Sequence, residues 1–80
     1  MNIHDQLTEV FRNVFDDDTI EITPETTAND IEGWDSLSHV NLIIAVEIKF
    51  NIEFSQKEAR SFSNVGEMEK CIEKKLDEMN

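Results

Sequence analysis

Ser36 and His39 stand three residues apart, a separation that makes two side chains neighbours on one helical turn. A serine beside a histidine is the pairing of a nucleophile with its base. Hydrolysis by such a pair also needs an oxyanion hole and a third group to orient the histidine. Gly33-Trp34-Asp35-Ser36-Leu37 lacks the second glycine of a nucleophile elbow. A chain of 80 residues also leaves little room for a cleft that excludes water. His39 is therefore expected at the surface near Ser36, with no catalytic role.

The other reactive residue types form no site either. Asp16, Asp17 and Asp18 invite a calcium reading, but an EF-hand loop beginning at Asp16 needs glycine at its sixth position, where Glu21 stands. It also needs a bidentate glutamate at its twelfth, where Thr27 stands. A solvated acidic turn is the better reading. His4 and His39 are far apart, and the one cysteine, Cys71, does not complete a zinc set. Cys71 has no partner for an intrachain disulfide and reads as a small apolar residue in a reducing compartment. Gly33 and Gly66 are the only glycines, too few for a phosphate loop. No metal site is expected.

Ser36 differs in its position. It stands where a long irregular stretch meets a strongly apolar helical segment, so its hydroxyl is expected in solvent at a helix N-terminus. Serine is among the best N-caps and Asp35 can cap as well, so position alone allows a purely structural role.

The elements that hold Ser36 follow from periodicity. Ile3, Leu7, Val10, Phe11 and Val14 form one stripe of a first helix over about residues 2–15. Residues 16–35 form a long connection with Pro24 and Gly33, and Ile20, Ile22, Ile31 and Trp34 are spaced along it as apolar anchors. From Ser36, the residues Leu37, Val40, Ile44 and Ile48 mark one stripe of a second helix, and Leu42, Ile43, Ala45 and Val46 widen it over much of the circumference. Such a helix is either central to the bundle or shows an apolar face to a partner. It should end near Phe50, since Asn51 suits a helix C-terminus. Ser55-Gln56-Lys57-Glu58 has capping-box spacing for a short helix to about Ser61. Asn64 and Glu67 repeat that pattern before a last helix with Val65, Met68, Ile72, Leu76 and Met79 on one face. No strand-like alternation is present. The expected fold is all-α: a four-helix bundle of three main helices and one short one, with a long first loop, as a single domain over 1–80.

The net charge of −11 repels phosphate backbones and anionic lipid, so neither nucleic acid nor membrane is an expected partner. Proteins with basic docking patches would be steered toward the chain. No apolar run approaches the ~20 residues of a membrane span, and Met1 to Gln6 shows no secretory signal. A complete cytoplasmic protein is expected.

Gly33-Trp34-Asp35-Ser36-Leu37-Ser38-His39-Val40, continuing through Asn41-Leu42-Ile43-Ile44-Ala45-Val46-Glu47 to Phe50, closely resembles the modification segment of acyl carrier proteins. The resemblance extends over nearly the whole chain: the amphipathic first helix, the anchored loop, the short helix after Phe54 and a last helix opening at Asn64-Val65. It implies that Ser36 receives 4′-phosphopantetheine from coenzyme A, through a separate phosphopantetheinyl transferase acting with a magnesium ion. Asp35 would position that transfer and Leu37 would complete the Asp-Ser-Leu motif. The arm would carry acyl intermediates as thioesters, and the protein itself would be a monomer without catalytic activity. Partner enzymes of fatty-acid, polyketide or specialised lipid and metabolite biosynthesis, with basic or apolar docking patches of their own, would load and process the cargo, docking on Leu37, Val40, Asn41, Ile44, Glu47 and Ile48. The inner faces of Ile44, Ala45, Ile48 and Val65 would shelter the acyl chain.

The second helix departs from fatty-acid-synthesis carriers, which have several acidic residues there. This chain has Ser38, Asn41, Ile48 and Lys49, with Glu47 kept. That favours dedicated partners reading a more apolar face. A carrier of amino acids for peptide synthesis or cell-wall alanylation shares the fold and the arm, although Trp34-Asp35 is more acyl-type. An unmodified interaction bundle with Ser36 as a cap is the alternative from another class.

Overall fold

The computed structural model of the chain describes residues 2–78, so Met79, expected on the apolar face of the last helix, lies outside the described residues. Four α-helices and a single 3₁₀ turn are present, and no strand occurs among the described residues.

Helix α1 spans Ile3–Val14. Asn2 opens it, its side-chain oxygen accepting from the Asp5 N–H at 2.8 Å. Its apolar stripe buries Leu7, Val10 and Phe11. The exit is made by the acidic run: Asp16 takes a left-handed backbone (φ 50°), and the Asp17 N–H returns to the Arg12 carbonyl at 3.0 Å. A short polar side chain tolerates that conformation, so aspartate does here what glycine does at many helix ends. Asp17 Oδ1 then accepts from the backbone and hydroxyl of Thr19. The acidic run is a helix stop, and no group of three or more potential metal ligands exists among the described residues.

The long connection is anchored at the expected places. Ile22 and Ile31 are buried, while Ile20 and Trp34 pack half-buried against the core. It is more ordered than an irregular loop, because Ala28–Asp30 forms a 3₁₀ turn held by the Thr27 N–H to Asp30 Oδ2 bond at 2.9 Å. The loop also supplies acceptors to another helix. The carbonyls of Thr26 and Pro24 accept from the N–H groups of Val65 and Gly66, both at 2.8 Å. These donors open α4 and have no intrahelical partner, so the loop caps α4 from the side.

Helix α2 spans Ser36–Phe50, and Asn51 closes it in the left-handed conformation (φ 56°). Helix α3 spans Gln56–Ser61, opened by the Ser55/Glu58 capping box with both reciprocal bonds formed. Helix α4 spans Val65–Glu78. Asn64 Oδ1 accepts from the Glu67 N–H, but the Glu67 carboxylate reaches Ser63 N–H instead of the residue predicted by strict capping-box geometry. Helix α1 packs on α2 and on α4. Leu7, Phe11, Leu42, Val46, Val65, Met68 and Ile72 are fully buried between them. Each such side chain contributes roughly 1.5–3 kcal/mol of burial free energy.

Helix α2 is apolar on two sides for two reasons. Leu42, Ile43, Val46 and Phe50 face the core. Leu37, Val40, Ile44 and Ile48, spaced three and four apart, run up the opposite side and are 49–76% exposed. This corrects the expectation that Ile44 and Ile48 turn inward to shelter cargo. At about 100° per residue a stripe through Ile44 and Ile48 cannot share the face of Ile43 and Val46. Of the four residues expected inside, only Val65 is fully buried, with Ala45 half-buried beside the core.

Candidate functional site

The junction of the long loop with α2 is built by Asp35. Its side-chain oxygen Oδ1 accepts from the Ser38 N–H at 2.9 Å, and its carbonyl accepts from His39 N–H at 2.8 Å. Asp35 is therefore the N-cap, and the Ser38 amide holds its carboxyl below the usual carboxylate range. Ser36, released from capping, is the first helical residue. Its side chain is exposed, and its hydroxyl has no hydrogen-bond partner among the described residues. The two roles left open by the sequence thus fall on two adjacent residues.

The loop arrives at this point through Gly33, whose backbone (φ 88°) lies in the region that glycine adopts without strain. Trp34 then turns inward. Its ring meets Phe11 edge-on at 5.3 Å and lies 6.3 Å from Phe15, tying the loop to α1. His39 stacks on Trp34 at 6.0 Å, with 16° between the planes. The Trp34 indole N–H donates to His39 Nδ1 at 3.0 Å, and His39 Nε2 lies 2.7 Å from the Ala59 carbonyl oxygen. Indole N–H only donates and a carbonyl only accepts, so both bonds form with the proton on Nε2.

His39 is thus half-buried and committed at both nitrogens, contrary to the expected surface residue. It joins the loop, α2 and α3. The same commitment removes it as a base for Ser36, since neither nitrogen is free to take a proton. Cys71 is also no nucleophile: burial raises its thiol pKa, and it lies 3.7 Å from Glu58 Oε2.

Beside Ser36 lies an open groove of about 610 Å³ between the loop, the start of α2 and the end of α3. Trp34, Val40 and Phe62 give it an apolar lining, while Asp35, Arg60 and Ser63 give it polar edges. Arg60, Phe62 and Ser63 escaped the sequence reading. Their only signal was membership of a short capped helix and the turn after it, and their nearness to Ser36 depends on how α3 packs.

Among the other predicted residues, Leu37, Val40, Asn41, Ile44 and Ile48 are exposed along α2. Glu47 is half-buried, and its Oε2 accepts from Phe54 N–H at 2.8 Å, bracing the turn after α2. Lys49 pairs with Glu9 at 3.6 Å, across to α1.

A small helical bundle that holds an unengaged hydroxyl at the start of a helix, beside an open groove, has the form of a carrier scaffold: a display platform for a group attached at that hydroxyl. Comparison with known proteins gives the family. No protein-family model matches the chain. The acyl carrier protein of Helicobacter pylori strain J99 is 37% identical over 73 residues, covering 91% of this chain and 94% of that protein. The acyl carrier protein of H. pylori strain 26695 is 34% identical over the same extent. The solution structure of the holo acyl carrier protein from Geobacter metallireducens superposes with a TM-score of 0.90 at 48% identity, covering 99% of this chain and 91% of that one. The chain belongs to the acyl carrier protein family.

Proposed function

We propose that the chain, acting over residues 1–80 as one cytoplasmic, monomeric domain, carries acyl groups on a phosphopantetheine arm attached to Ser36. One observation carries this reading: Asp35 takes over the cap and leaves the Ser36 hydroxyl exposed and unengaged at the start of α2. The surroundings fit the group. The N–H groups and partial positive charge of a helix start favour an attached phosphodiester, and the groove has space for a slender arm. When bound, the arm supplies a terminal thiol on which cargo is held as a thioester. The chain supplies reach and address, and its partners do the bond-making.

Attachment is the work of a separate phosphopantetheinyl transferase. Ser36 Oγ bonds to the phosphorus of the pantetheine half of coenzyme A, its proton passes to a base on the transferase, and the pyrophosphate bond breaks to release the adenosine half. The Asp35 carboxylate, held at the start of α2 by the Ser38 amide, positions this exchange, and Leu37 presents an exposed contact one residue beyond Ser36.

Acyl-loading and acyl-processing enzymes dock on the outer side of α2, where Leu37, Val40, Asn41, Ile44 and Ile48 are exposed and Glu47 borders them. That side is apolar, so the reading favours enzymes of a dedicated lipid or metabolite pathway over general fatty-acid elongation. Among the described residues, no helix is long and apolar enough to cross a membrane.

Incubation with coenzyme A and a broad-specificity transferase, followed by intact mass, tests the attachment. A gain of one phosphopantetheine that disappears in Ser36→Ala is expected. No gain, or a gain retained in Ser36→Ala, overturns the reading and leaves an unmodified interaction bundle.

A further inference from the structure

We propose that Arg60 is the counter-charge of the phosphodiester on Ser36 and that it draws the base of the arm into the groove lined by Trp34, Val40 and Phe62. This rests on the Ser36 reading above and adds a resting position for the arm.

Three observations support it. Arg60 is exposed and its side chain makes no ion pair or hydrogen bond among the described residues, although the chain has 18 acidic residues. Arg12, the only other arginine, is engaged with the Ile20 carbonyl at 2.8 Å. Arg60 lines the same groove as Ser36 and is the one lysine or arginine among the described residues that does so. Asp35 also lines that groove. A phosphodiester on Ser36 therefore places one negative charge beside another, and a cation at the groove relieves the repulsion. A guanidinium suits the task because its planar fork donates two parallel bonds to phosphate oxygens. Beyond the phosphate, Trp34, Val40 and Phe62 offer apolar surface for the methyl-bearing start of pantetheine. Arg60 also sits in the last turn of α3, where its charge complements the helix dipole. That role exists with or without the arm, which separates the two experimentally.

Trp34 is the single tryptophan and lines the groove, so its fluorescence reports the arm directly. The test compares apo and holo forms of the wild type, Arg60→Ala and Arg60→Lys, each verified by intact mass. Readouts are Trp34 emission, the ³¹P resonance of the phosphodiester, and nuclear Overhauser contacts from the pantetheine methyls to Trp34 and Phe62. In the wild type, modification should shift the Trp34 emission and give those contacts. Arg60→Ala should reduce the docked population roughly two- to fivefold, as for one solvent-screened charge pair, with Arg60→Lys intermediate. Added salt should weaken the wild-type signal and leave that of Arg60→Ala nearly unchanged. If the mass gain is complete but Trp34 and ³¹P signals are the same in wild type and Arg60→Ala, the Arg60 proposal is overturned and the Ser36 reading stands. Absence of any mass gain overturns both.

Discussion

Asp35 and Ser36 divide between them two tasks that one serine could have attempted alone. A capping serine spends its hydroxyl on a backbone amide, and a displayed serine leaves that amide unsatisfied. With Asp35 as the cap, the amide is met and the hydroxyl is free. Ser36→Ala should therefore abolish modification while shifting stability by less than about 0.5 kcal/mol in chemical denaturation. Glu58 shows the same economy at α3, with one carboxylate serving both the Ser55 amide and Lys75 at 2.9 Å. The Ser55 amide foremost, then Lys75, lowers its pKa from 4.5 to about 2. Because the folded-state value is depressed, this stabilisation is complete above about pH 4.5 and fades as pH falls toward about 2. The group is over a third exposed, so solvent screening limits the effect to about 1 kcal/mol. Glu58→Gln should flatten the melting temperature against pH across that window, measured by circular dichroism.

At the scale of elements, contacts between the loop and the helices hold the display in place. His39 spans three of them through Trp34 and the Ala59 carbonyl. His39→Ala should cost about 2 kcal/mol, from two lost hydrogen bonds and an indole N–H left unpaired. Hydrogen exchange should speed up most in α3, because Ala59 is its tie to α2. The other clasp is at Gly66, where an added Cβ would lie 2.9 Å from the Pro24 carbonyl oxygen and 3.1 Å from Pro24 Cβ. The neighbour is backbone and cannot swing aside. Gly66→Ala should lift the loop from the start of α4 and destabilise by about 1–3 kcal/mol in a urea titration. The exposed stripe of α2 makes no such demand on the fold. Its four large apolar residues stay in solvent while Leu42, Ile43 and Val46 of the same helix are buried, which is the pattern of a surface kept for association.

For the whole molecule, the net charge of −11 on 80 residues is the dominant long-range fact. Compaction brings those charges together, so self-repulsion opposes folding and salt relieves it. Raising sodium chloride from low to physiological strength should raise the melting temperature in a calorimetric scan, even as it weakens the individual Glu9–Lys49 and Glu58–Lys75 pairs. A fall in melting temperature would show that local pairs outweigh the global field.

The amino-acid order alone determined the helical class, the stripes of α1 and α4, the caps at Ser55 and Asn51, and the place of Ser36 at a loop–helix junction. These depend on spacing, capping chemistry and turn residues, which act within a few positions of the chain. Tertiary structure decided which side of α2 faces water. Both of its sides are apolar, so periodicity had no contrast from which to choose, and only the packing of α1 against Leu42 and Val46 separates them. It also decided that His39 is a bolt and that Arg60 stands over the groove beside Ser36. The Ala59 carbonyl lies twenty residues from His39, and α3, which carries Arg60, comes to Ser36 through packing, so no local pattern reports either contact.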